Sequence, residues 1–146
     1  MKIVLQRVSQ ASVLVEDVPV GAIDHGLMLL VGVHAEDNEE CMQWLADKIL
    51  KLRIFDDSQG KMNFSIQDVG GEILVIPQFT LYGEYEQGNR PSYITAARPD
   101  KANLLYEKMI QYFKANSALN IETGKFGSYM DVQLHNDGPV TLVLER

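Results

Sequence analysis

Gly26-Leu27-Met28-Leu29-Leu30-Val31-Gly32-Val33 is the stretch on which the fold turns. A continuous apolar run of this length fits a strand covered on both faces, and it falls far short of the roughly 20 residues that a membrane span needs. Such a strand is the spine of a layered sheet. Upstream, Ile3 to Ala22 alternates through Val13, Val15, Val18 and Val20 around Glu16-Asp17, which predicts two antiparallel strands joined by a tight turn. Downstream, Asp37 or Asn38 can cap a helix whose first turn holds Glu39 and Glu40. Met42, Leu45, Ile49 and Leu52 keep helical spacing, so a helix over 38–51 is expected.

Gly70-Gly71 introduces a second buried strand, Glu72 to Ile76, which stops at Pro77 because proline has no N–H to give a central ladder. Between the first helix and this strand, Phe55 to Lys61 is turn-rich. Residues 82–98 have no stable period and hold two glycines, a proline and two arginines, the composition of a long functional surface loop. Pro99 or Asp100 opens a second helix, with Leu104, Leu105, Met109, Tyr112 and Phe113 on one face and an end near Asn116. Met130 to Leu134 and Val140 to Leu144 read as two closing strands, interrupted by Asn136-Asp137-Gly138-Pro139. The order ββ, β, α, β, α, ββ, with hairpins at both ends, predicts a single α+β domain over residues 1–146. Its sheet is mixed or mainly antiparallel, and two helices flank it.

The 146 residues are 46% hydrophobic, enough for one sizeable core. The net charge of -7 argues against a protein that grips nucleic acid through many phosphate contacts, although one nucleic-acid end can still be held. Residues 1–75 carry 6 basic and 12 acidic groups, residues 76–146 carry 7 and 8, so an anionic partner should approach the second half. One cysteine, Cys41, and three scattered histidines, His25, His34 and His135, give neither a disulfide nor metal-ligand spacing, so no metal or cofactor is expected. Met1-Lys2-Ile3-Val4 has no signal-peptide layout, and a soluble, cytoplasmic protein is expected. The chain has no Gly-rich phosphate loop, no Gly-x-Ser-x-Gly elbow and no His-Glu-x-x-His.

Two segments carry possible chemistry. Pro77-Gln78-Phe79-Thr80-Leu81 lies where a buried strand ends, and backbone N–H groups freed there can stabilise an oxyanion. The plainer alternative is that Gln78 and Thr80 satisfy local backbone groups while Phe79 and Leu81 pack. Asn136-Asp137-Gly138-Pro139-Val140-Thr141 is ordinary turn material, but an X-Pro bond can also be cis and make a rigid corner with fixed carbonyl directions. From the local sequence alone both readings of each segment stay open.

Lys2 to Val8, Gly26 to Gly32, Arg53-Ile54-Phe55, Gly60 to Asn63, Gln78 to Tyr82, Gly88 to Pro91, Thr123 to Gly127 and Asn136 to Thr141 together resemble the D-aminoacyl-tRNA deacylase family, in order along the whole chain. The Gln-Phe-Thr-Leu and Asn-x-Gly-Pro-x-Thr segments are specific as a pair. The resemblance implies a barrel-like sheet with flanking helices. It also implies a homodimer, with its active site at the interface, that hydrolyses the ester between tRNA and a D-amino acid or glycine. It further implies a cis Gly138-Pro139 bond that enters the partner's pocket as a chirality filter. Arg7 would hold that element in orientation, Met130 would form a pocket wall, and Asn136 and Thr141 belong to the filter motif. Gln78, Phe79 and Thr80 would form the catalytic segment, with the N–H groups around Phe79 and Thr80 as anion donors. The partner is the acceptor end of aminoacyl-tRNA, assisted in the family by its terminal ribose 2'-hydroxyl.

One departure stands at Pro77, where the family motif begins with serine. A sister branch acting on L-alanyl-mischarged tRNA has proline there but alanine at the position of Phe79, so the D-specific type is expected and the sister activity is the alternative. No histidine lies in either motif, so a Thr80 nucleophile lacks a base. A Thr80-dependent hydrolase and a non-catalytic dimer that binds tRNA ends remain the competing classes.

Overall fold

Strand β1 (Lys2–Val15) organises the sheet of this computed structural model, which describes residues 1–146. The full length of β1 pairs antiparallel with β8 (Asp131–Glu145), from Lys2 opposite Glu145 to Leu14 opposite Asp131. Since β8 takes one side, β2 (Val18–Ile23) and β3 (Gly26–Gly32) share the other, pairing with Ala11–Val15 and Lys2–Val8 respectively. They are successive parts of one return strand, broken at Asp24-His25. Beyond β3 the sheet turns parallel, first to β6 (Glu72–Pro77) and then to β7 (Ile121–Thr123). The predicted mixed sheet is therefore present.

The sheet curls until β2 meets β7. A Cβ added to Gly21 would lie 2.8 Å from the Thr123 carbonyl oxygen, so the near-closure of the barrel depends on glycine at that position. The turn between β1 and β2 uses Glu16 and Asp17 at φ 52° and 62°, the positive values of a twist-matched two-residue turn.

Alternation along β3 and β6 sorts their side chains into two layers. Leu27, Leu29, Val31, Ile73 and Val75 face a cluster shared with both helices, whereas Met28, Leu74 and Ile76 join Val8, Val13 and Ile23 in the barrel interior. This is why the sequence of these strands is apolar without interruption. Helix α1 (Glu39–Lys51) is capped by Asn38, whose side chain accepts the Cys41 N–H at 3.0 Å. Asp37 is instead buried, accepting the His34 N–H at 2.7 Å and pairing with the Met1 amino group.

Two expectations are corrected, the buried face of the second helix and the closing hairpin, and a short hairpin and β7 are added to the predicted order. Helix α2 (Pro99–Asn116) buries Ala102, Leu105, Tyr106, Met109, Ile110 and Phe113, while Leu104 points to solvent, because the apolar stripe runs one position later than the leucine pair suggests. The turn-rich stretch after α1 contains a small hairpin, β4 (Phe55–Asp56) with β5 (Met62–Phe64). The three-residue β7 is too short to display a period. The two closing strands are one, β8, so the chain does not end in a hairpin. Pro139 is tolerated inside it because β8 pairs only with β1, leaving an edge where a missing N–H breaks no ladder. The ladder to β1 absorbs the corner by shifting register between Gln6 and Val8 and again between Val8 and Gln10.

Candidate active site

At the carboxyl end of β6 the chain leaves the sheet abruptly. The Gln78 N–H still donates to the Val31 carbonyl at 2.8 Å, continuing the ladder by one residue. Phe79–Tyr82 then forms a single 3-10 turn, with Leu81 N–H donating to Gln78 and Gly83 N–H to Thr80. The N–H groups of Phe79 and Thr80 head this turn, where no earlier carbonyl of the turn can receive them. The Gln78 amide donates to the Thr80 hydroxyl. Phe79 is 56% exposed and meets the Tyr93 ring edge-on at 5.1 Å.

A cavity of about 830 Å³ opens beside this turn. Val31 and Val33 enter from the end of β3, Tyr93 and Ala97 from the long loop, Tyr106 from α2, and Phe126 and Met130 from the segment between β7 and β8. No Asp, Glu, His, Lys or Arg lines it, so it contains no side chain suited to general acid–base work near neutral pH. The Tyr106 hydroxyl donates to the Val75 carbonyl at 2.8 Å and lies 3.3 Å from the Gly124 carbonyl, so it sits between the end of β6 and the end of β7. Burial pushes this phenol well above its ordinary range, so it stays a donor. Met130 lies over Gly124, where an added Cβ would come within 2.8 Å of its sulfur.

The second predicted segment is built differently. The Gly138-Pro139 bond is cis. Asn136 donates from Nδ2 to the carbonyls of Arg7 at 2.9 Å and Val140 at 3.3 Å, holding both flanks of the corner. Arg7, 5% exposed, donates from Nε to the Asp137 carbonyl at 3.2 Å and lies 3.0 Å from its carboxylate. Its Nη1 donates to the Ile54 carbonyl at 2.6 Å and lies 3.6 Å from Asp56. Thr141 accepts from Gln6 Nε2 at 3.3 Å on the exposed face.

Gln78, Phe79, Thr80 and Met130 thus share one cavity, while Arg7, Asn136, Gly138, Pro139 and Thr141 do not line it. Pro77 stands opposite Val31 and Val31 opposite Ile3, whereas the corner sits level with Arg7 on the far side of β1. Three strand spacings and four residues along β1 separate the two sites by about 20 Å measured along the sheet. Sequence reasoning missed Tyr93, Tyr106, Phe126 and Tyr129 as cavity residues. Two signals were present: Phe126 lies in a segment that carries the resemblance, and Tyr93 lies in the loop 82–98 read as functional.

The D-Tyr-tRNA(Tyr) deacylase family matches residues 4–145. A D-aminoacyl-tRNA deacylase of Exiguobacterium sp. is 57% identical, covering 100% of this chain and 99% of its own. One from Thermotoga petrophila is 52% identical, covering 99% and 97%. Among solved structures, the c-Myc DNA Unwinding Element Binding Protein superposes with a TM-score of 0.94 at 38% identity over 100% of this chain and 99% of that one. A probable eukaryotic D-amino acid tRNA deacylase shares the fold, with a TM-score of 0.82 at 17% identity over 98% and 97%. With its neutral cavity headed by free backbone donors, this chain belongs to the D-Tyr-tRNA(Tyr) deacylase family.

Proposed function

We infer that the protein hydrolyses the ester joining a D-amino acid to the 3' end of tRNA. Water adds to the ester carbonyl, the bond to the ribose oxygen breaks, and the products are the free D-amino acid and tRNA with its hydroxyl restored. The observation that carries this reading is a cavity without acids or bases, headed by the N–H groups of Phe79 and Thr80, in a chain of this family. An aminoacyl ester is already activated, so the main requirement is stabilisation of the tetrahedral oxyanion. One well-placed donor typically supplies about 2.7 to 4 kcal/mol. The substrate's own ribose 2'-hydroxyl then assists where the protein offers no base.

Selectivity follows from exclusion. A D-specific enzyme must accept many side chains on one hand of the α-carbon and refuse them on the other, which suits a rigid wall better than a side-chain pocket. We assign that wall to Gly138 and Pro139 of a second copy, because the corner of the same chain is about 20 Å away along the sheet. The site is then complete only in a homodimer, and glycine, which has no substituent to exclude, is hydrolysed too. Phe79, in place of the sister branch's alanine and with its ring edge-on to Tyr93, supports the D-specific type over the L-alanyl type, despite Pro77. No helix of the chain is long and apolar enough to cross a membrane, and tRNA quality control in the cytoplasm fits the substrate.

A hydrolysis assay with D-Tyr-tRNA, L-Tyr-tRNA, Gly-tRNA and L-alanyl-mischarged tRNA tests the reading. Release from the D and glycyl esters alone is expected. Binding without turnover of any ester would make the protein a tRNA-end-binding module, and preferential L-alanyl release would move it to the sister type. Light scattering should give a mass of two chains. A concentration-independent monomer that still hydrolyses D-Tyr-tRNA would remove the partner's corner from the site.

A further inference from the structure

The acidic balance of the chain makes its unpaired cations informative. Of 13 Lys and Arg side chains, only Lys61, Arg90, Arg98, Lys114 and Lys125 form no ion pair, hydrogen bond or ring contact. With 20 carboxylates available, a cation left alone is one that the fold has not neutralised. Three of the five lie in segments that contribute residues to the cavity. Arg98 is exposed between the cavity residues Ala97 and Pro99, Lys125 is exposed immediately before Phe126 and Gly127, and Arg90 lies in the loop that delivers Tyr93.

The cavity itself is free of charge. We propose that Arg98 and Lys125, with Arg90 on the neighbouring loop, form a phosphate-binding rim that receives the sugar-phosphate backbone of the substrate while its uncharged ester end enters the cavity. This sorting matches the chemistry of an aminoacylated polynucleotide, whose charge lies in the phosphates and whose reacting bond lies beyond the last of them. A guanidinium presents paired donors to phosphate oxygens, and an ammonium acts as a point charge. Two or three such contacts suit a protein of net charge -7, which would repel a longer track along a duplex.

The inference rests on the deacylase reading, and the test separates the two. Hydrolysis is measured on full-length D-Tyr-tRNA and on the 3'-D-tyrosyl ester of adenosine, which has no phosphate, from about 50 to 200 mM salt. For Arg98→Gln and Lys125→Gln, the preference for the phosphate-bearing over the phosphate-free ester should fall about 3- to 10-fold at low salt, mainly through KM. Each substitution should also make the dependence of log kcat/KM on log salt shallower by about 0.7 to 0.9. Lys114→Gln, which removes an unpaired cation from the last turn of α2, should alter neither quantity. Equal losses on both esters, or an unchanged salt slope while the wild type hydrolyses D-Tyr-tRNA, would overturn the rim alone. Failure of the wild type to hydrolyse either ester would overturn the deacylase reading and the rim with it.

Discussion

The turn after β6 and the corner inside β8 both interrupt a strand, but they are held by opposite means. At Gln78–Thr80 the proposed functional atoms are backbone N–H groups, fixed by the ladder to Val31 and a 3-10 turn, and the side chains of Phe79 and Thr80 are exposed. At Asn136–Pro139 the backbone direction is fixed by side chains, Asn136 from within and the buried Arg7 from β1. The first arrangement tolerates substitution of its own residues, because the ladder that positions it belongs to neighbours. The second concentrates its geometry in one guanidinium.

The largest effect should come from that guanidinium. Arg7→Ala removes the donor to the Ile54 and Asp137 carbonyls and leaves two carboxylates beside a cavity, so stability should fall by about 3 kcal/mol in urea unfolding. Discrimination between D- and L-Tyr-tRNA should weaken with it. A loss below about 1 kcal/mol with an unchanged D over L ratio would show that the corner holds without Arg7. Asn136→Ala, which strips the donor from the Arg7 and Val140 carbonyls, should cost about 2 kcal/mol by the same measurement.

On the cavity side the effects should be smaller. Tyr106→Phe removes a buried hydroxyl, yet the Val75 carbonyl that accepts from it keeps the Gly124 N–H at 2.9 Å. About 1 kcal/mol is expected, and a value above about 3 would mean that the Tyr106 hydroxyl bears more of the fold than the corner does. Thr80→Ala should change stability by less than about 0.5 kcal/mol, since the hydroxyl is exposed and meets only Gln78. It should keep measurable deacylation. Complete loss of turnover, with circular dichroism and tRNA binding intact, would make Thr80 a nucleophile and erase the contrast between the two regions.

Local signals predicted the elements whose physics is local. The Glu16-Asp17 turn, the Asn38 cap and the two-faced strands β3 and β6 each carry their cause within a few residues. The unity of β8 was hidden because proline breaks central strands, and only the pairing pattern reveals that this strand is an edge. Leu104 misled because the buried stripe of α2 runs through the adjacent pairs Leu105–Tyr106 and Met109–Ile110, a placement that depends on Tyr106 reaching the ends of β6 and β7. The motif residues of the cavity were legible through resemblance. The aromatic lining was not, since Tyr93, Tyr106, Phe126 and Tyr129 come from separate segments whose meeting is a property of the closed sheet.

The pairing of β1 with β8 also sets an order of events during synthesis. Lys2 is made long before its partner Glu145, so β1 has a permanent neighbour on one side only until β8 is synthesised. Domains that complete themselves as they leave the ribosome favour short-range pairings, and closing a loop across the whole chain comes late. The nascent protein therefore carries a half-paired central strand until β8 is made. A ribosome stalled before Asp131 would hold a sheet with its middle strand exposed as an edge, the kind of surface that other chains and chaperones engage.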